Sequence, residues 1–97
     1  MRDDEFEWDD AKAATNRTNH GVSFDAARDV FRDPFARDWL DDREDYGEDR
    51  FNITGMVGGR LLVVTYTIRR RTRLISARLA EPRERKRYHE ESRKGHS

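Results

Sequence analysis

Two dense apolar runs, Leu61–Ile68 and Leu74–Leu79, stand close together in a chain otherwise dominated by charge. Gly58-Gly59 precedes the first run, and Arg70-Arg71 separates the two. Short runs of this kind, bounded by tight turns, point to neighbouring antiparallel strands. Their concentration matters because 41% of the 97 residues are charged and only 34% are hydrophobic. Such a chain is near the border where apolar burial no longer offsets the entropy of ordering. Gathered into adjacent strands, the same residues can still make a small core. The length predicts one domain, residues 1–97, marginal in stability and able to gain from a partner.

Around the runs, local signals mark the remaining elements. Asp9 is a helix N-cap followed by alanines, and Gly21 stops that helix after His20. Ser23 caps a second helix over Phe24–Phe31, where Phe24, Ala27, Val30 and Phe31 form one apolar stripe. Asp33-Pro34 ends it. Phe35–Leu40 is a short strand candidate, Asp41–Asp49 a charged loop, and Arg50–Val57 an alternating strand. Strands over Arg60–Arg69 and Thr72–Ala80 follow. Pro82 opens a C-terminal helix over Arg83–Arg93, since its missing N–H is unneeded there. Tyr88 is the only large apolar body of that helix, so it is either solvated or docked through Tyr88 and arginine stems. Lys94–Ser97 is expected to fray. The expected class is α+β: two N-terminal helices and a C-terminal helix around a three- or four-stranded antiparallel sheet.

Two-residue turns would fix the registers. The Gly58-Gly59 turn pairs Val57 with Arg60, Ile53 with Val64, Asn52 with Thr65, Phe51 with Tyr66 and Arg50 with Thr67. An Arg70-Arg71 turn pairs Arg69 with Thr72, Tyr66 with Ile75, Thr65 with Ser76, Val64 with Ala77, Val63 with Arg78 and Leu62 with Leu79. It is an unusual turn, because neither arginine favours positive φ. One face then holds Phe51, Ile53, Leu62, Val64, Tyr66, Ile68, Ile75, Ala77 and Leu79 and packs under the N-terminal helices. The other holds Arg50, Asn52, Thr54, Thr65, Thr67, Arg69, Ser76 and Arg78, without an acid from these strands. Met56, Leu61, Val63 and Leu74 fall among these polar groups and predict a protein contact there.

Charge is divided by position. Residues 1–49 carry 16 Asp or Glu against 7 Lys or Arg, and residues 50–97 carry 4 against 13. Arginines outnumber lysines 17 to 3, and arginine grips phosphate through a planar fork. An arginine-bearing sheet in a small chain fits a polyanion such as RNA. The alternative is that the acidic and basic halves pair with each other. The chain contains no cysteine, which removes disulfides, thiol chemistry and Cys-type zinc sites. No His/Asp/Glu cluster has metal-ligand spacing, so no metal and no cofactor is expected. Met1–Glu5 has no apolar signal-peptide region, and no apolar run approaches the ~18 residues that span a membrane. A cytoplasmic protein is expected.

Several blocks in order resemble one family. They are Phe6-Glu7-Trp8-Asp9 with Lys12-Ala13; Asn16 with His20-Gly21-Val22-Ser23-Phe24; Phe31-Arg32-Asp33-Pro34; and Tyr46-Gly47-Glu48-Asp49-Arg50-Phe51. Val64-Thr65-Tyr66-Thr67 and Ile75-Ser76-Ala77-Arg78-Leu79-Ala80 follow, then Glu84 and Tyr88. Together, from Phe6 to about Glu90, they resemble the BrnT toxins of type II toxin–antitoxin systems. The resemblance implies a RelE/ParE-like fold and a ribonuclease that arrests translation. It also implies a BrnA-like ribbon-helix-helix antitoxin. The chain itself has no groove-reading motif, so it is expected to reach operator DNA only through that antitoxin. The family usually carries Lys-His-Gly where this chain has Asn19-His20-Gly21. That departure keeps a second reading open: an inactive relative that only binds antitoxin or nucleic acid.

Metal-free RNA cleavage uses the RNA's own 2′-OH as nucleophile and needs a base, an acid and cations. Arg78, Arg50 and Arg69 fit the cation role, although Arg78 could instead pair with Glu84 or Glu81. His20 suits a base by its intrinsic chemistry, or simply stabilises a helix C-terminus. Glu84 and Glu48 are further candidate bases. Tyr88 could carry a proton or stack a base, or else dock its helix. Trp8 could stack RNA, or belong to the core. Lys12 and Arg85 are candidates for further RNA contacts.

Overall fold

A computed structural model describes residues 1–43, 45 and 47–94, with Lys94 described in its backbone only. Glu44, Tyr46 of the Tyr46-Gly47 block, and the Gly95–Ser97 part of the expected frayed end lie outside the described residues. The elements run β1 (Phe6–Glu7), α1 (Asp10–His20), α2 (Phe24–Asp29), a 3-10 turn (Val30–Arg32), β2 (Arg37–Asp41), β3 (Arg50–Val57), β4 (Arg60–Ile68), β5 (Thr72–Leu79) and α3 (Pro82–Lys94). The five strands form one sheet in the order β1-β5-β4-β3-β2.

The class is α+β as the sequence predicts, but the sheet departs from the expected one. It has five strands and is mixed, because β1 pairs in parallel with β5 through Phe6–Thr72 and Glu7–Arg73. Two residues are too few to show an alternating pattern. The second helix is also shorter than expected. It tightens into 3-10 geometry at Val30, where the chain presses against Gly55 of β3. A Cβ at Gly55 would sit 2.8 Å from Val30 Cγ1 and 3.0 Å from the Val30 carbonyl oxygen, so only glycine permits this approach.

The Gly58-Gly59 register is as expected, from Val57–Arg60 to Arg50–Thr67. Both glycines take positive φ, 56° and 81°, as a tight hairpin requires. The second turn differs. Ile68 pairs with Thr72, Thr67 with Arg73 and Tyr66 with Leu74, leaving Arg69–Arg71 as a three-residue loop. No residue other than glycine has positive φ among those described, so the arginines avoid the strained two-residue turn. The extra loop residue is compensated by a bulge between Thr65 and Tyr66, which leaves Ile75 as the additional residue in β5. Beyond it the expected pairs return, from Thr65–Ser76 to Leu62–Leu79. The slip exchanges two side chains. Leu74 joins the core at 2% exposure, and Ile75 is only half-buried.

The main core lies between one sheet face and the α1–α2 layer. Ile53, Leu62, Val64, Tyr66, Leu74 and Ala77 meet Trp8, Val22, Phe24, Ala27 and Val30 there. Trp8 is therefore a core residue, edge-on to Phe24 at 5.7 Å, and it does not offer its ring to a ligand. Ile68 and Leu79, expected in the core, stand at strand ends and are exposed. Asn16 of α1 closes the β5 edge. Its amide donates to the carbonyls of Val22 and Ala77 and accepts from the Ala77 N–H, at 2.8–3.0 Å. The side chain thus acts as one more unit of strand ladder.

The opposite face is not an open arginine surface. Asn52, Thr54, Thr65 and Thr67 are buried, and so are Leu61 and Val63, with α3 meeting the sheet over β3. The protein contact expected at Met56, Leu61, Val63 and Leu74 is thereby ruled out for the last three, which are within 2% of complete burial. Three of these polar groups are hydrogen-bonded within the chain. Thr65 Oγ1 donates to Asn52 Oδ1, and Thr67 Oγ1 donates to the Asp49 carbonyl, both at 2.6 Å. Central β4 is consequently buried on both faces from Leu61 to Thr67.

Candidate nucleic-acid interface

Helix α3 starts where β5 ends, and its first turn creates the central ion pair of the site. The Glu81 carbonyl accepts the first helical bond from the Arg85 N–H. Glu84, three residues after Glu81, reaches back and accepts from the Glu81 N–H at 2.8 Å, one half of a capping box. That places its carboxylate over β5, where Arg78 donates to both oxygens at 2.7 and 2.9 Å. These hydrogen bonds hold the Glu84 carboxyl below its usual range, against a smaller opposing effect of burial. Arg78 is shifted upward by the same contact. The pair is half-shielded, with 36% and 20% side-chain exposure.

A groove runs past this pair between α3 and the β2–β3 edge. It has two pockets, and Trp39 and Glu84 border both. The first, about 210 Å³, is lined by Arg37, Thr54, Arg83, Arg87 and Tyr88. The second, about 200 Å³, is lined by Asp41, Asp42, Arg43, Asn52 and Arg78. Both are smaller than the ~300–1,000 Å³ of ordinary small-molecule sites. Asp41 receives Arg43 through two 2.8 Å hydrogen bonds, which hold its carboxyl low. Tyr88 anchors α3 by donating to Asp33 Oδ2 at 2.5 Å, and the Met56 N–H donates to the same oxygen at 2.7 Å. Burial and then this bond push the Tyr88 phenol up to about 12. It therefore stays protonated and committed to Asp33 at neutral pH.

A second cluster lies where β3 begins and β4 ends. Arg69 donates to Glu48 at 3.1 Å, and Arg50 approaches the other Glu48 oxygen at 3.6 Å. The Arg69 hydrogen bond, with the charges of both arginines, holds the Glu48 carboxyl low. Glu48 therefore links the acidic and basic halves of the chain, as does the Glu7–Arg73 pair at 3.5 Å. The division of charge is thus partly spent in internal pairing.

The family model for the ribonuclease toxin BrnT of type II toxin–antitoxin systems matches residues 8–84. The chain belongs to the BrnT family. Comparison with curated proteins found no significant match. Family membership makes this BrnT chain a ribonuclease toxin whose partner is a protein antitoxin. Its matched segment reaches from Trp8 of the core to Glu84 of the central pair, so β2 to β5 of the sheet and the start of α3 fall within it.

The structure gathers the candidate residues of this BrnT chain into three places. Arg78, Glu84 and Tyr88 share the α3 groove, while Arg50 and Arg69 share Glu48. His20 and Lys12 lie apart, in an open groove of α1 against Ile75 and Ser76 that also contains Asn19. Arg85 is exposed and lines neither α3 pocket, whereas Arg83 and Arg87 line the first. They are four residues apart on one helix face, and Arg85 lies on another. Trp39, Arg43 and Asp41 were missed by sequence reasoning because they sat in or beside an irregular charged stretch. An aromatic residue flanked by Asp38 and Leu40 carries no marker of which sheet face it occupies. Among the described residues, no group of three or more His, Asp or Glu could hold a metal. No helix is long and apolar enough to cross a membrane.

Proposed function

We propose that this toxin cleaves RNA without a metal ion, in the groove beside the Arg78–Glu84 pair, and so halts translation in the cytoplasm. The observation that carries this reading is the two-pronged Arg78–Glu84 contact at the meeting point of two small pockets. A guanidinium held in that orientation is preorganised for the phosphate of a bound strand. The RNA 2′-oxygen attacks phosphorus, and the bond to the 5′-oxygen breaks. The products are a 2′,3′-cyclic phosphate and a free 5′-OH. Glu84, ionised down to acidic pH, takes the 2′-OH proton as Arg78 shifts toward the phosphate, and solvent supplies the proton to the leaving oxygen. Arg50 and Arg69 extend the cationic path along the strand, with Lys12 and His20 on the α1 side as outlying RNA contacts. The neutralising partner is a BrnA-like ribbon-helix-helix protein, and operator DNA is reached only through it. The α+β arrangement is consistent with a RelE/ParE-like toxin.

A second reading has specific support. Asn19 replaces the family's usual lysine, and Arg50, Arg69 and Arg78 each face a carboxylate of the same chain. In that reading the chain binds its antitoxin or RNA without cutting. Incubation of purified protein with RNA in EDTA separates the two. Cleavage to cyclic phosphate ends supports the proposal, and activity only with added divalent metal overturns its mechanism. No cleavage in the presence or absence of ribosomes favours the binding module.

A further inference from the structure

We propose that Trp39 is a stacking platform for one base of single-stranded RNA, with the adjoining phosphate held by Arg83 and Arg87. This rests on the ribonuclease reading above and identifies how the groove seats its substrate. Trp39 pairs with Asn52 across β2 and β3, which puts its indole on the α3 face. It is 41% exposed, although it stands between two pockets. A buried tryptophan would serve the core, as Trp8 does. Trp39 instead offers a ring to whatever enters the groove.

The surroundings favour a nucleotide over a protein. A protein-docking tryptophan normally belongs to a contiguous apolar patch. The neighbouring Leu40 is exposed and reaches the rim of the second pocket, but it pairs with Phe51, on the opposite face of the pleat, and forms no broad apolar patch with the indole. Trp39 is bordered by charge instead. On the α3 side, Arg83 and Arg87 are exposed and form no ion pair with another described residue, while Arg37 is bound to Glu91 at 2.8 Å. On the other side, Arg43 and Arg78 are matched by Asp41, Asp42 and Glu84. The phosphate therefore belongs on the Arg83–Arg87 side, where Arg37, Arg83 and Arg87 outnumber the carboxylates of Asp38 and Glu84, whereas acids outnumber arginines on the other side. The base lies over the indole, and the chain then passes toward Arg78. Stacking on an aromatic ring tolerates any base, so the platform holds the strand without selecting sequence.

The test uses full-length protein in EDTA and a short fluorescein-labelled single-stranded RNA with methylated 2′-oxygens, which cannot be cut by 2′-OH attack. Anisotropy gives Kd against salt concentration, and melting curves confirm that each variant is folded. Trp39→Ala and Trp39→Leu should each weaken binding about 10- to 100-fold. Trp39→Phe should remain within a few-fold of the parent, and none of the three should alter the salt slope. Arg83→Ala and Arg87→Ala should each lower the slope of log Kd against log salt, and together by ~0.7, the value for the one single-strand phosphate that they share. Arg60→Ala, remote at the Gly58-Gly59 turn, should leave it unchanged. If Trp39→Leu binds as the parent does, the contact is apolar and the proposal fails. Equal slope changes for Arg60→Ala and Arg83→Ala would overturn the phosphate assignment. A parent that cuts RNA while all Trp39 variants bind it equally leaves the ribonuclease reading intact and removes only this inference. A parent that neither binds nor cuts RNA removes both.

Discussion

Under α1 and α2, the sheet presents Ile53, Leu62, Val64, Leu74 and Ala77 to a matching apolar layer, and the rings of Phe6, Phe31, Tyr66 and Phe51 follow one another at 5.0–5.5 Å. Under α3, Asn52, Thr54, Thr65 and Thr67 are buried to a similar degree, yet Asn52, Thr65 and Thr67 are held by hydrogen bonds and the rim is arginine and carboxylate. Burial alone therefore does not distinguish the two faces, but its physics does. Removing apolar area from water is a net gain of ~25 cal/mol per Å². Exchanging hydrogen bonds with water for internal ones gains far less, about 1 kcal/mol each. The first face stabilises the fold. The second gains from Leu61 and Val63 but otherwise retains directed polar groups at little net gain, which is the composition expected where chemistry is done.

The sharpest break of this comparison comes from the apolar face. Phe24→Ala should cost about 3–5 kcal/mol, the usual range for a buried aromatic ring, in a domain whose total is on the order of 5–15 kcal/mol. Urea unfolding should show a much lower midpoint at an unchanged slope. A shift below ~1 kcal/mol would mean that the α1–α2 layer is not the main source of stability.

Next in size is the polar face. Arg78→Ala should reduce cleavage about 100- to 1,000-fold, the loss seen when one preorganised donor is removed from a transition-state site. Its effect on stability should stay within ~1 kcal/mol, because the pair is partly solvated. Arg78→Lys should not restore the rate, since a lysine lacks the fork that spans both Glu84 oxygens. Loss of rate together with early melting would assign Arg78 to the fold instead.

Asn16 tests the comparison from the opposite direction, as a polar group on the apolar side. Asn16→Leu leaves the Val22 carbonyl and both backbone groups of Ala77 without partners, and should cost about 1–3 kcal/mol. Faster hydrogen exchange at the Ala77 amide would report it, and unchanged exchange would contradict the role of Asn16 as a substitute strand.

The smallest effect is the pH dependence of α3 docking through Asp33 and Tyr88. Burial raises the Asp33 carboxyl, but the bonds from Tyr88, Met56 and Phe35 outweigh it and lower it below 3.8. Its contribution is complete above the ordinary value of 3.8 and is lost as pH falls through the lower folded value. The Tyr88 phenol is raised from 10.0 to about 12, so its contribution is complete below 10.0 and is lost as pH climbs toward 12. Stability against pH should therefore decline at both ends, and Tyr88→Phe should remove the Tyr88 part of the alkaline decline. An unaltered alkaline limb in that variant would show that α3 is held elsewhere.

Local chemistry in the sequence determined the helix caps at Asp9 and Ser23, the stop at Gly21, the Gly58-Gly59 hairpin and every pair in its register. Each depends on residues close in the chain and on backbone preferences that neighbours do not change. The Arg78–Glu84 pair was also visible as an alternative, six residues apart across a strand–helix junction. Other features required distant parts of the chain to meet. The three-residue Arg69–Arg71 loop and its bulge arise from a balance between turn strain and strand pairing, and this balance moved Leu74 into the core. β1 exists only because β5 presents an edge to Phe6 and Glu7. The polar face became an interior because α3 folds back over it and anchors Tyr88 to Asp33, 55 positions earlier. Trp39 gained its place between two pockets by the same closure. A side chain's exposure is a property of what packs over it, and no local pattern in the chain specifies that.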